Sequence, residues 1–98
     1  MNVQLAIERL RAMQPQLSQP GIAALFLFGS FARGEMHENS DIDLAFEVDP
    51  DSRFNLIHQA SLQAMLEEQL GRHVDFLDRQ AIHPDLRPGI ERDLVRVF

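Results

Sequence analysis

The hydrophobic positions of the chain recur with two different periods, and these periods predict helices that alternate with strands. Within residues 3–17 apolar side chains return every three to four positions, which is typical of an amphipathic helix, and Pro20-Gly21 follows. Residues 22–28 are apolar without interruption and are bounded by glycine at each end. Such a run is expected of a strand that is buried on both faces.

Residues 41–48 alternate strictly, which predicts a strand with one covered face. The faces are Ile42, Leu44, Phe46 and Val48 on one side, and Asp41, Asp43, Ala45 and Glu47 on the other. Residues 49–52 predict a turn that supplies a helix N-cap, and the apolar spacing within residues 54–70 predicts a second helix that ends at Gly71. Residues 73–77 predict a short third strand.

The last part of the chain has a weaker pattern. Pro84, Pro88 and Gly89 are expected to interrupt any helix there, whereas residues 94–98 are apolar enough to close the sheet as a fourth strand. The order of elements predicts a single α/β domain over residues 1–98, with a small mixed sheet of three to four strands flanked by helices.

Composition narrows the class of protein. With 45% apolar and 24% charged residues the chain should fold. The absence of Cys excludes disulfides, a thiolate zinc site and a cysteine nucleophile, and it fits a reducing compartment, so we expect the cytoplasm. No apolar run approaches the roughly 20 residues of a membrane span, so no membrane association is expected.

The charge of the chain also bears on its partners. The formal net charge is −6, and all nine basic residues are Arg. A dense positive stripe of the kind that duplex binding requires is therefore not expected, and we predict no direct nucleic acid binding. Carboxylates gathered for a divalent cation would account for part of the negative sum.

Two carboxylates carry the strongest chemical signal. Asp41 and Asp43 are two positions apart on a predicted strand, so their side chains project from the same face. Carboxylate oxygens are the ligands that Mg²⁺ prefers, and two ions about 3.5–4 Å apart can stabilise the attacking and leaving oxygens of phosphoryl transfer. An Asp-x-Asp by itself is more often a solvated strand face, so the signal depends on its surroundings.

Those surroundings include a turn suited to phosphate. The predicted buried strand runs into Gly29-Ser30, where glycine permits a tight turn and the following N–H groups can open a helix. Ser30 can add a hydroxyl donor and Arg33 a positive charge, and spacing alone does not decide which of them touches phosphate. Ser40 precedes Asp41 and can bond locally to brace the strand entry.

The segments GSFARG at residues 29–34 and NSDIDL at residues 39–44 together resemble the signature of the DNA polymerase β nucleotidyltransferase superfamily. The match is best to its minimal branch, the MNT proteins that are paired with HEPN proteins in prokaryotic toxin–antitoxin systems. Glycine-serine alone is a weak signal, whereas its combination with a correctly spaced Asp-x-Asp is strong. The resemblance implies a polymerase β palm-like fold.

This resemblance implies a function and a set of site residues. The chain would be a protein adenylyltransferase and antitoxin that uses two Mg²⁺ ions to transfer AMP from ATP to a hydroxyl of a HEPN toxin, with tyrosine as the expected acceptor. Its nucleotide-binding residues would be Gly29, Ser30, Arg33 and Ser40, and its catalytic and metal-binding residues Asp41, Asp43 and Asp75. Asp75 matches the family's third carboxylate, and Asp78 is its rival, although it faces the other side of the strand.

Several alternatives stay open at this level. Arg33 could instead form a surface ion pair with Glu35 or Glu38. The four histidines show no metal-ligand spacing, and only His73 is placed to lie near the site. The chain could neutralise its partner by binding alone, or transfer AMP to a small molecule such as an aminoglycoside.

Overall fold

A computed structural model describes all 98 residues as one four-stranded sheet with helices against both faces. The strand order is β3-β2-β1-β4, in which β2 and β3 are parallel and the other neighbours antiparallel. The predicted α/β fold with a mixed sheet is confirmed. The helices are α1 Val3–Ala12, α2 Gln14–Ser18, α3 Gly29–Arg33, α4 Leu56–Leu70 and α5 Arg87–Asp93; the strands are β1 Ile22–Phe28, β2 Ile42–Val48, β3 Val74–Asp78 and β4 Val95–Arg96; a 3-10 turn spans Arg79–Ala81.

Strand β1 lies inside the sheet and its side chains fill two cores. Leu25 and Leu27 point into the larger core, which lies between the sheet and α1, α2 and α4. Phe26 and Phe28 point to the opposite face, where the segment after β3 covers them. All of β1 except Ala23 is buried, so the prediction of a strand covered on both faces is confirmed.

The predicted first helix is wrong in one respect, because it breaks at Met13 into α1 and α2. Pro15 lies in the first turn of α2, where its missing N–H is tolerated. In a continuous helix the same proline would remove a hydrogen bond and clash with the carbonyl of Arg11. Leu10 and Leu17 are nevertheless both fully buried, so the apolar face continues across the break.

Helix α4 begins at a different cap from the one predicted. The side chain of Asn55 accepts a hydrogen bond from the backbone N–H of His58 at 3.0 Å, and the His58 ring accepts one from the Asn55 N–H at 3.2 Å. This reciprocal pair satisfies two N–H groups that no helical carbonyl reaches. Ser52, in the turn that was expected to cap the helix, bonds back to the carbonyl of Asp49 instead. The predicted end at Gly71 is confirmed.

The outer edge of β3 is covered by side chains of α4. Gln59 donates to the carbonyl of Phe76 at 3.1 Å, and Gln63 donates to the carbonyl of Val74 at 3.0 Å. Glu67 accepts from the N–H of Val74 at 3.0 Å. Because these three residues are four positions apart, they lie in one row along the helix. Together they satisfy three backbone groups that a further strand would otherwise pair.

The C-terminal segment contains a helix that the prediction excluded. Pro88 lies in the first turn of α5, a position that accepts proline, and Gly89 follows it without ending the helix. The fourth strand is confirmed, although only Val95 and Arg96 form it. Hydrogen bonds between Leu25 and residues 97 and 98 continue the pairing. None of the helices combines the length and apolar character that crossing a membrane would need.

Candidate functional site

The turn between β1 and α3 depends on Gly29 in two ways. Its φ of +71° is a left-handed backbone conformation that favours glycine. A Cβ at this position would overlap with the carboxylate of Asp43 and lie 3.1 Å from its Cγ. Gly29 therefore allows both the sharp turn and the close packing of Asp43 against it. No side chain caps the first N–H groups of α3, which leaves them free to meet an anion.

Four side chains form a square where β2 and β3 begin. Asp43 is the register partner of Asp75, and Asp41 and His73 immediately precede the paired residues Ile42 and Val74. Ile42 and Val74 are in the large core, so the four polar residues between and beside them project from the opposite face of the sheet. The structure thus brings together the three predicted carboxylates and places His73 beside them.

Crowding of the carboxylates changes the acidity of one of them. Burial, a side-chain hydrogen bond with Asp75 and the negative charges of Asp75 and Asp41 raise the pKa of Asp43 to about 6. The nearby Arg33 guanidinium opposes this rise. In the metal-free chain Asp43 therefore holds its proton to a higher pH than an isolated carboxyl would, because close carboxylates resist ionising together.

This arrangement fits a divalent cation. The negative charges of Asp41 and Asp75, which help to raise the pKa of Asp43, are charges that a bound cation would neutralise. Ligand atoms of Asp41, His73 and Asp75 all lie within 4.8 Å of one another. Asp41 and Asp75 belong to this group, and Asp43 is the register neighbour of Asp75. Metal binding by the three carboxylates stays a prediction.

A polar cleft of about 410 Å³ adjoins the carboxylates. Its lining contains no apolar residue and consists of Ser30, Glu35, His37, Asn39, Ser40, Asp41 and Asp43. The structure thus places the predicted residues Ser30 and Ser40 in one cleft with two of the carboxylates. The sequence did not assign Glu35, His37 or Asn39 to the site. Their place in the sequence was the signal that could have found them, because the chain between the two motifs has to pass the site. The expectation that only His73 among the histidines lies near the site is wrong, because His37 lines the cleft.

The loop before β2 is held by local bonds and by one distant arginine. Ser40, which is 8% exposed, accepts a hydrogen bond from the N–H of His37 at 2.7 Å. The predicted bracing role of Ser40 is confirmed. The guanidinium of Arg72 donates to the carbonyls of His37, Glu38 and Ser40 at 2.9–3.2 Å. Arg72 also lies over the buried ring of Phe31, so it ties this loop to α3. Nothing in the sequence indicated this role.

Arg33 and Asp78 do not line this cleft. Arg33 pairs with Glu35 at 3.0 Å, as one alternative predicted, and with Asp93 of α5 at 2.7 Å, which was not foreseen. Glu38 is not a partner. A contact between Arg33 and a nucleotide stays a prediction. Asp78 ends β3, and its side chain accepts a hydrogen bond from the N–H of Gln80, so its predicted separation from the site is confirmed.

The sequence matches a known domain over nearly its whole length. A model of the family described as "Nucleotidyltransferase domain" matches residues 6–97. A protein of Methanocaldococcus jannaschii named as a candidate protein adenylyltransferase is 39% identical over 77 residues, which are 78% of this chain and 77% of that protein. Both matches are long enough that they have to include the Gly-Ser turn and the Asp-x-Asp segment.

Two solved structures show the same fold. A candidate minimal nucleotidyltransferase superposes with a TM-score of 0.81 at 30% identity and covers 97% of this chain and 95% of its own. An MNT antitoxin, solved in complex with a tri-AMPylated HEPN toxin of Shewanella oneidensis, superposes with a TM-score of 0.71 at 19% identity. That likeness covers 98% of this chain and 71% of the other, and at this identity it shows the fold alone.

Proposed function

Because the chain belongs to the nucleotidyltransferase domain family, we propose that it transfers AMP from ATP to a tyrosine hydroxyl of a HEPN toxin and thereby neutralises that toxin. The observation that carries the proposal is the paired register of Asp43 and Asp75 beside Gly29 and Ser30. This arrangement places the carboxylates that would hold metal next to a polar cleft in which a triphosphate can lie. Related proteins supply the acceptor class, since one is a candidate protein adenylyltransferase and another is an antitoxin bound to an AMPylated toxin.

The residues have distinct roles in this reaction. Asp41, Asp43 and Asp75 would hold Mg²⁺, which would offset charge on the triphosphate. Ser30 and the free N–H groups of α3 orient the phosphates, and Ser40 fixes the loop that carries Asp41. The acceptor oxygen attacks the α-phosphorus, the bond to pyrophosphate breaks, and Asp75 takes the hydroxyl proton. Because Asp75 is about half exposed, an acceptor can approach it from solvent.

A surface for a protein acceptor adjoins Asp75. Leu77 follows two positions later on β3, so its side chain lies on the same face about 7 Å further along the strand. Leu77 lines an apolar groove of about 450 Å³ together with Leu56 and Leu86, which are 80% and 61% exposed. Exposed large apolar side chains that share one groove are typical of a protein interaction site. A toxin docked here would have its hydroxyl within reach of the carboxylates.

Replacing Leu77 by glutamate is therefore expected to weaken transfer to the protein acceptor about tenfold, which corresponds to about 1.4 kcal/mol of lost binding. The loss should appear as a higher KM for the acceptor, with ATP affinity unchanged. Leu5→Glu is the matched control, because Leu5 on α1 is 37% exposed, close to the 40% of Leu77, and lies away from the groove. Equal losses in both variants would contradict the docking surface.

The proposed reaction can be tested by incubating the chain with α-labelled ATP, Mg²⁺ and the toxin encoded beside it. We expect label on the toxin and loss of toxin activity, with EDTA and a Tyr→Phe toxin variant each preventing both. The Asp41→Asn/Asp43→Asn chain sets the background. No label above that background would refute the proposal. If this double variant still neutralised the toxin, binding alone would be the mechanism.

A further inference from the structure

We propose that His73 is a nitrogen ligand, and that Asp41, His73 and Asp75 bind a first-row transition-metal ion such as Zn²⁺ more tightly than Mg²⁺. The two-residue spacing of Asp41-Ile42-Asp43 is repeated by His73-Val74-Asp75 on the parallel neighbour. His73 therefore lies at the fourth corner of the square, and the three carboxylates occupy the other corners.

The Nδ1 atom of the His73 imidazole faces two of the carboxylates. It lies 3.5 Å from Asp41 Oδ2 and 3.8 Å from Asp75 Oδ1. These separations leave space for one ion between three donor atoms, since such ions bind nitrogen and oxygen at about 2.0–2.2 Å. His73, Asp41 and Asp75 are each about half exposed, so water can complete the coordination.

The second ring nitrogen of His73, Nε2, also lies beside a carboxylate. His73 Nε2 lies 3.8 Å from Glu67 Oε2, and the same carboxylate oxygen accepts the hydrogen bond from the N–H of Val74. Glu67 is thus held in place beside the ring by the backbone of β3. A carboxylate beside one ring nitrogen is the usual outer partner of a metal-bound histidine, because it favours a proton there and leaves the other nitrogen to the metal.

The donor set determines which ions benefit. Mg²⁺ is a hard ion that binds oxygen and retains several waters, so an imidazole adds little to its affinity. Zn²⁺, Co²⁺ and Ni²⁺ bind imidazole well and generally bind mixed nitrogen and oxygen sites more tightly. Loss of His73 should therefore weaken these ions and leave Mg²⁺ almost unchanged. A simple ion pair between an imidazolium and the carboxylates would show no such selectivity.

This inference concerns the metal site on which the proposed function rests, but its test requires neither nucleotide nor toxin. Zn²⁺ and Mg²⁺ are titrated separately into the full metal-free chain at pH 7.5 by calorimetry. Imidazole ¹⁵N resonances are followed by NMR during the Zn²⁺ titration. We expect one Zn²⁺ per chain and a shift of the His73 Nδ1 resonance. His73→Asn should weaken Zn²⁺ at least tenfold and change Mg²⁺ affinity less than twofold.

His83→Asn is the matched control, because His83 also lies beside a carboxylate, with Nδ1 3.6 Å from Asp85 Oδ2, and forms no second ion pair. It should retain the affinity of the natural chain for Zn²⁺. Equal Zn²⁺ affinity in the natural chain and His73→Asn, or an unchanged His73 resonance in the natural chain, would overturn the inference. Zn²⁺ binding that survives while toxin labelling fails would refute only the proposed function.

Discussion

Replacing Asp43 by asparagine is expected to stop AMP transfer and, at the same time, to stabilise the metal-free chain at neutral pH. Asparagine keeps the shape of the side chain beside Gly29 but removes a metal-binding charge. We expect the rate of toxin labelling to fall about 10³-fold, which equals about 4 kcal/mol of transition-state stabilisation. The labelling assay with Mg²⁺ measures this loss.

The stability gain follows from the raised pKa of Asp43. A carboxyl with a pKa of about 6 in the folded chain and 3.8 in the unfolded chain binds its proton more tightly when folded. Its contribution to stability is therefore lost as the pH rises from about 4 through 6, and asparagine escapes that loss. Allowing for solvent screening of this half-buried group, we expect the variant to gain about 1 kcal/mol at pH 7.5.

Thermal unfolding in EDTA measures the effect, and a gain of about 1 kcal/mol raises the Tm of a domain of this size by about 4–8 °C. At pH 4 the natural and variant chains should have nearly equal stability. Asp85→Asn is the control, because Asp85 is 87% exposed and lies outside the square, and it should change neither rate nor Tm. A variant that was less stable than the natural chain at pH 7.5 would contradict the proposed charge crowding.

Replacing Gly29 by alanine should damage the site more than the same change at Gly34, although the two backbones are nearly identical. The φ values are +71° and +72°, so both substitutions meet the same left-handed strain of about 1–2 kcal/mol. A Cβ at Gly34 meets no atom within 4 Å, whereas one at Gly29 overlaps with the Asp43 carboxylate. The pair thus separates backbone strain from displacement of a metal ligand.

We expect Gly34→Ala to lose about 1 kcal/mol of unfolding free energy and to keep its rate of toxin labelling. Gly29→Ala should lose about 1–3 kcal/mol more from the overlap, and about 10²-fold in rate, because a catalytic group moved by about 1 Å is no longer aligned. Chemical denaturation and the labelling assay measure the two effects. If both variants lost the same rate, the clash with Asp43 would have no catalytic consequence.

The sequence was informative where periodicity and spacing act locally. The apolar run of β1 and the alternation of β2 predicted both strands, and the two-residue spacing of Asp41 and Asp43 predicted that they share a face. Placing Asp75 required the family resemblance, because parallel pairing joins residues 32 positions apart. The roles of these residues in catalysis stay predictions.

Contacts between distant segments were beyond such reasoning. The ion pair of Arg33 with Asp93 and the hydrogen bonds of Arg72 to three carbonyls depend on how the finished fold brings distant segments together. The errors at Met13 and Asn55 had a different cause. In both places a short-range preference, for proline in a first turn or for a capping box, decided the boundary, while the apolar pattern continued past it.

The row of Gln59, Gln63 and Glu67 along β3 has a consequence for assembly. Unpaired strand edges recruit other chains by backbone pairing, and here side chains of α4 already bond three of the backbone groups at the edge of β3. At the opposite edge, β4 is a short strand of two residues, and residues 97 and 98 continue its pairing with Leu25. Extension of the sheet by a partner chain is therefore disfavoured at β3. We expect side-chain contacts to decide which partner binds, so single substitutions can change that choice.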